Sequence, residues 1–420
     1  MENNPSDFNF FDEAVLNCPY DFYESLQTKA PVYQLPDTNI FMVTRHADIK
    51  DLLKDTATYS NNFNHLLKGP EPAQEVLDIY AKGWDPVDTM ITSDPPRHKV
   101  YRTLVNKVFS ASRVDEMESY MEDIVHELID TFIERGECDF IREFTTPLPV
   151  YVIADQLGVP REEIQDFKKW SDSFASRLSQ LATSEEELEN AKNIVAFQHF
   201  FADMIAKRRE EPQDDMISDL VTTTIKDPDT GEERPLNMEE LQSILQQLMV
   251  AGNETTTSAI TGGMLSLINN PEQMQRLQEN PEEIPNAVEE ILRMESPSAG
   301  MWRVVKKDSE VHGVRIPKDS LLMLRYHAAN RDRALFEAPN DINVCRHNAG
   351  EHLAFGRGVH FCPGAMLARK EMIVAFRALL SRLTNIALVE EKSDLAYWPN
   401  IVLRGLKELH ISFEPTAKSV

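Results

Sequence analysis

From Asn237 to Pro271 the chain runs for roughly 33 residues without a proline, and apolar residues return at every third or fourth position. That pattern is an α-helix, and at about 1.5 Å per residue it is about 50 Å long, enough to cross a whole domain. Asn237 followed by Glu240 makes a capping box at its start, and Pro271 stops it. Any fold for this chain has to be built around that rod. Leu241, Leu245, Leu248, Gly252, Thr255 and Ala259 fall on one apolar face of it. A glycine and a threonine at the centre of a core-facing stripe weaken a helix. Either the backbone packs closely at Gly252 while Thr255 bonds back to a carbonyl, or a bulky cofactor lies against the helix there. Glu254, at about 200° from Gly252 around the axis, is expected to act on that face only indirectly.

Other helical signals dominate after Asp94. Met117, Met121, Ile124, Val125, Leu128 and Phe132 share a helical spacing that Gly136 closes as a C-cap. Leu148–Leu157 before Gly158, a segment starting near Pro160, and Pro363–Leu383 read likewise. Ile284, Ala287, Val288, Ile291 and Leu292 stripe one more helix, Glu185–Glu189 is a solvated helix face, and Asp227–Arg234 is a polar turn. Strand signals are fewer: Val32–Leu35 and Ile40–Thr44 after a short helix at Tyr20–Lys29, several between Met301 and Tyr326, and Leu406–Phe413. The stretch from about residue 60 to Asp94 lacks periodicity and is expected to be loop-rich. The expected fold class is therefore mainly α with a minor β-sheet region. A single domain should span residues 1–420, β-richer over about 1–60, as one compact unit or two lobes about a cleft.

The formal net charge of −26 excludes nucleic acid and anionic membranes as partners, because a polyanion repels most of this surface. No segment has the roughly 18 uncharged residues of a membrane span. Glu2, Asp7, Asp12 and Glu13 occupy the place where a secretory signal needs basic and apolar residues, so the expected location is cytoplasmic. The four cysteines (Cys18, Cys138, Cys345, Cys362) form no CxxC pair and no disulfide framework. If one does chemistry, it does so singly.

Residues 355–364 read FGRGVHFCPG. Gly356 and Gly358 permit tight backbone geometry, and Cys362 is expected at the N-cap of the following helix with Pro363 in its first turn. A helix N-terminus beside the sulfur lowers its pKa and favours the thiolate, a soft metal ligand. A lone cysteine next to a glycine turn is ordinarily a structural core residue. The full pattern F-G-x-G-x-H-x-C-x-G, however, resembles the haem-ligand loop of the cytochrome P-450 superfamily at all six specified positions.

What that resemblance implies runs from about Pro19 to Phe413. The fold would be the cytochrome P-450 fold, with the long helix over a haem b and Cys362 as the axial iron ligand. AGNETT at Ala251–Thr256 is similar to the family's oxygen-binding motif, which makes Thr255 the hydrogen-bonding partner of oxygen at the iron and Glu254 a proton source through water. Spacing alone lets Arg293 pair with either Glu289 or Glu290. The family's E-x-x-R motif selects Glu290 and Arg293, joined by Arg346 in a structural role. Asn330–Asp332 with Phe336, Pro339 and Arg346 follows the family pattern, while Ile342 stands where an aromatic is more usual. His98, Arg102, Arg303 and His360 match positions that contact haem propionates. Ile91, Gln247, Val250, Ala251, Ala299, Met301 and Ile401 match pocket positions and suit an apolar small molecule, with Gln247 either meeting a polar group or packing.

The implied activity is a soluble monooxygenase that takes electrons from a carrier, expected to be a ferredoxin with its reductase, and puts one atom of dioxygen into an apolar substrate. Terpenoid, steroid, fatty-acid and aromatic substrates stay open. A peroxide-driven or isomerising haem-thiolate enzyme would share the cysteine loop but not need the Glu254–Thr255 pair. A non-enzymatic haem sensor would need an effector module. Two segments are basic, Asp94–Arg113 at +4 and Arg346–Lys370 at +3, leaving −33 for the rest. The expected use of that clustering is docking of an acidic ferredoxin, with Lys99, Arg113 and Arg369 as test positions.

Overall fold

The computed structural model describes residues 4–63, 72–179, 183–227 and 229–416. Part of the expected loop-rich stretch before Asp94, and Pro228 of the polar turn, lie outside them. Two compact units emerge: Met1–Tyr59 with Val114–Pro149 and Glu254–Val420, and Ser60–Arg113 with Val150–Asn253.

The first unit holds most of the sheet. Val32–Gln34 pairs antiparallel with Ile40–Val43, which runs parallel to Leu321–Leu324 in a register that sets Met42 opposite Met323. Leu321–Leu324 is in turn antiparallel to Met301–Val305. Phe41, Val43, Leu322 and Leu324 are buried there with Ile49 and Leu52 of the helix His46–Leu52. The hairpin Ser309–Val311/Val314–Ile316 turns at His312 and Gly313, both at positive φ, as that dipeptide predicts. Glu118–Phe132 buries its expected stripe against Ala365–Arg382, and Gly136 (φ 68°) closes the turn that follows it.

Two boundaries differ from expectation. The last helix stops at Arg382, and Leu383–Leu388 becomes a strand, with a bulge where Asn385 takes φ 52°. Thr384 and Ile386 are β-branched and favour that outcome. The terminal strand is His410–Pro415, later than its alternation suggested, because Leu406 is occupied in an isolated bridge with Tyr397.

The second unit is helical, with one hairpin, Thr224–Lys226/Glu233–Pro235, at the polar turn. Its core is aromatic: Trp170 and Phe174 of Ile164–Ser179 meet Phe197 and Phe201 of Ser184–Glu210 edge-on. Thr183 and Glu186 cap the latter helix reciprocally, which places the acidic run in its exposed first turn.

The long helix is Met238–Ile268. Asn237 and Glu240 form the expected capping box, at 2.8 and 2.9 Å. Glu240 also takes both terminal nitrogens of Arg234 and the Tyr101 hydroxyl, so the start of the helix is pinned.

Candidate active site

The cysteine loop is shaped by its glycines. Gly356 and Gly358 both adopt positive φ, and a Cβ on Gly358 would sit 2.6 Å from the Leu53 carbonyl oxygen. The turn folds back so that Cys362 N–H donates to the Phe355 carbonyl at 2.9 Å. Cys362 is not the N-cap. A turn through Pro363 intervenes, Gly364 is the N-cap, and the helix starts at Ala365. The Cys362 carbonyl accepts from Ala365 N–H at 3.4 Å, so the sulfur stands just ahead of the helix terminus, where the dipole acts more weakly. Cys362 is half-buried, while Val359, Phe361 and Met366 around it are 40–45 % exposed. A thiol set among uncovered apolar side chains fits a large flat apolar cofactor better than it fits water.

Glu289 and Glu290 divide the work around this loop. Glu290, fully buried, takes Arg293 at 2.7 and 2.8 Å and Arg346 at 3.0 Å. The remaining guanidinium donors are filled by the carbonyls of Asn330, Pro339 and Glu337. Ile342 is buried beside them without an aromatic ring. Glu289 instead holds Arg369 at 2.5 and 2.8 Å and His352 at 3.2 Å, and Arg369 stacks on Phe355 of the cysteine loop. Burial alone would raise the Glu289 pKa, but the bonds from Arg369 and His352 hold it down at about 2.

Between Gln247 and Ser258 the partly or fully exposed residues are Gln247, Val250, Ala251, Gly252, Glu254, Thr255 and Ser258. These residues span more than half of the helix circumference, and Glu254 and Thr255, about 100° apart on it, are both partly exposed. The buried side is filled by Leu248, Met249, Asn253, Thr256 and Thr257. Close packing does not explain Gly252, since a Cβ there would meet Ile153 at an ordinary 3.6 Å. The tight glycines are the later pair, Gly262 against Glu295 and Gly263 against Ile291.

Among the propionate candidates, Arg303 is buried on its strand and donates to the Trp302 carbonyl at 2.7 Å and to Tyr326. His98 is buried, and desolvation with the nearby Arg102 charge lowers its pKa to about 4. It is neutral at pH 7 and can donate one N–H. Arg102 is half-exposed and bonds Asn106 at 2.7 Å. His360 lies half-buried in the short turn Gly358–His360.

Of the pocket candidates, Ile91 and Gln247 meet directly: the Gln247 side-chain oxygen accepts the Ile91 N–H at 3.4 Å. Ala299 is buried, and Met301 and Ile401 are half-buried.

One residue escaped the sequence reading. Glu371, two turns into the helix after Cys362, is 2 % exposed, and its side chain bonds Thr256, the neighbour of Thr255. Burial raises its pKa to about 8 against that bond, so it is a neutral acid at pH 7. Its signal was present, a glutamate on the buried stripe of Leu367, Val374, Ala375 and Ala378, but nothing local names its partner.

Several charges of the basic segments are paired. Arg97 pairs with Asp229, Arg113 with Asp219 at 2.6 Å, Arg369 with Glu289, and Lys370 with Glu118 at 2.6 Å and Asp115 at 3.2 Å. Lys99 and Lys107 are exposed. No helix of the described residues is long and apolar enough to cross a membrane.

Comparison with known proteins bears on the whole chain. Residues 162–404 match the cytochrome P450 family. A steroid C26-monooxygenase of Mycobacterium tuberculosis is 37 % identical over 327 residues, covering 78 % of this chain and 86 % of that one. A vitamin D(3) 25-hydroxylase of Pseudonocardia autotrophica is 33 % identical over 410 residues, 97 % of this chain and 96 % of its own. The structure of cytochrome P450 CYP109Q5 from Chondromyces apiculatus superposes with a TM-score of 0.83 at 32 % identity, over 97 % of this chain and 98 % of that one. With the cysteine loop, the buried Glu290–Arg293–Arg346 cluster and these likenesses in agreement, the chain belongs to the cytochrome P450 family.

Proposed function

We propose that this chain is a haem-thiolate monooxygenase in which Cys362 is the axial ligand and an apolar small molecule is the substrate. The observation that carries the reading is the half-exposed Cys362 among uncovered Val359, Phe361 and Met366, in a loop that keeps every fixed position of the family pattern. When bound, the haem supplies the binding and reductive splitting of dioxygen, which electron donation from a thiolate favours.

The residues of this chain do the rest. Arg303, His98, Arg102 and His360 are the donors that the family pattern matches to the two propionates. Glu254 and Thr255 are adjacent on the long helix and both partly exposed, so water can join the carboxylate to the hydroxyl. Glu254 can take a proton from solvent and pass it through water to the Thr255 hydroxyl. That pair favours dioxygen over peroxide as oxidant, because only dioxygen needs two protons delivered.

Val250, Ala251, Ala299, Met301, Ile401 and Ile91 are small or aliphatic and suit an apolar ligand; the Gln247 oxygen is taken up by Ile91. The relatives named for a steroid and for vitamin D(3) point to the same class. Electrons would come from a ferredoxin and its reductase. Since Arg113 and Arg369 are spent in ion pairs, Lys99→Glu is the sharper probe of docking, and reduction should slow as salt rises.

The test is Cys362→Ser. It should abolish the thiolate-type spectrum of the reduced carbon-monoxide adduct, and retention of both spectrum and activity would refute the assignment. Thr255→Ala should consume reductant undiminished while product falls and peroxide rises. Unchanged product per electron would remove Thr255 from the proton path.

A further inference from the structure

Away from the cysteine loop, the first unit buries two arginines that form no salt bridge among the described residues. Arg325 is 3 % and Arg404 9 % exposed. Arg325 donates to the Tyr23 hydroxyl at 2.6 and 3.0 Å and to the Ile401 carbonyl at 2.6 Å. Arg404 donates to the carbonyls of Leu16 and Asn17 and lies 3.3 Å over the Tyr397 ring, and its buried Nε has no hydrogen-bond partner. All these acceptors are neutral: burial raises the pKa of both phenols, and neither arginine is salt-bridged among the described residues. Glu295 is the one carboxylate that acts on Arg404, from beyond ion-pair distance, and its side chain accepts from Ser266 at 2.8 Å. His327 beside them is kept neutral by burial and by the charges of Arg404, Arg325 and Arg331.

Both arginines line one cleft of about 300 Å³, measured out to its solvent mouth. Its floor has room for about one water-sized group. Trp398, 62 % exposed, stands in its wall, and Ala299 reaches it from the segment of the pocket candidates. Buried guanidinium without a counter-ion is costly, and a carboxylate matches its planar fork. An exposed indole beside that charge adds an apolar platform.

We propose that this cleft binds the carboxylate of an amphipathic acid, with the head at Arg325 and Arg404 and the apolar body along Trp398. The acid is either a substrate entering head-first or an effector that never reaches the iron. The haem-loaded protein should be titrated calorimetrically with decanoate, decanol and acetate at low salt. Decanoate should bind about tenfold or more tightly than decanol, as a charge-assisted contact requires. Arg404→Gln and Arg325→Gln should each erase that preference, and Arg404→Lys should keep part of it. Trp398→Ala, at a position 62 % exposed, should weaken decanoate several-fold and leave acetate unchanged. A Soret shift with the calorimetric midpoint makes the acid a substrate; heat without a shift makes it an effector, and either sustains the site. Equal binding of decanoate and decanol, or Trp398→Ala and a folded arginine variant both binding decanoate as before, overturns it. The heats do not depend on Cys362 being the ligand, so this site and the haem assignment fail separately.

Discussion

Glu290 and Glu371 are both glutamates on helices of the same unit, both essentially excluded from water, and they reach opposite solutions. Glu290 gathers two arginines whose other donors are filled by carbonyls. Glu371 has the Thr256 hydroxyl, and burial pushes it up to about 8. Burial therefore does not decide the state of an acid; the partners that come with it do. The first arrangement ties the Glu290 helix to the meander before the cysteine loop. The second places a neutral acid, able to give a proton, on Thr256, the neighbour of Thr255.

The largest effect should come from removing the paired charge. Glu290→Gln leaves Arg293 and Arg346 buried with a neutral amide, at a cost of about 3–5 kcal/mol. Urea unfolding should show the loss, together with poor haem retention, and a fully stable, haem-replete variant would break the contrast. Glu371→Gln should do the reverse. Because its folded pKa is raised from 4.5 to about 8, the wild type holds a proton when folded that it releases on unfolding between those values. Its contribution is full below pH 4.5 and is lost as pH rises through about 8. The glutamine variant should therefore match the wild type near pH 4.5 and exceed it at pH 9 by about 5 kcal/mol. A parallel pH dependence of the two proteins would show that Glu371 is not the titrating group.

Glu289 lies between these extremes, with a depressed pKa of about 2 and one-fifth of its side chain exposed. Its stabilisation is present above pH 4.5 and disappears as pH falls through about 2. Glu289→Gln should cost about 1–2 kcal/mol at pH 7 and progressively less in acid, read from thermal unfolding across that range. The smallest change is Thr256→Val, which removes the one hydroxyl that lowers the Glu371 pKa. It should cost about 1 kcal/mol and shift the titration of the protonated carboxyl band, followed by infrared difference spectroscopy, to higher pH. An unmoved band would leave Glu371 with another partner.

Much of the site was legible. The FGRGVHFCPG loop carries its glycines where positive φ is needed, and the Asn237–Glu240 box starts the long helix where its residues place it. The helix Tyr20–Lys29 falls at the residues its spacing marks. Legibility failed where a local pattern had two readings. Leu241, Leu245, Leu248 and Ala259 of the long helix's apolar stripe are buried, but Gly252 and Thr255, which share its spacing, are partly exposed. The helix after Cys362 was expected to start two residues too early, because proline is as good a turn residue as a first helical one.

Sequence by itself determined the elements with short-range causes: the capped rod of Met238–Ile268, the glycine-shaped cysteine loop, and the excess of acid that makes this chain repel polyanions. Tertiary structure alone decided which charges meet. Glu290 finds Arg346 at a separation of 56 residues, Glu289 finds Arg369 at 80, and Arg325 finds Tyr23 at 302. Periodicity reports which side of a helix is buried, but ionisation and binding depend on what is buried against it, and that partner comes from elsewhere in the chain.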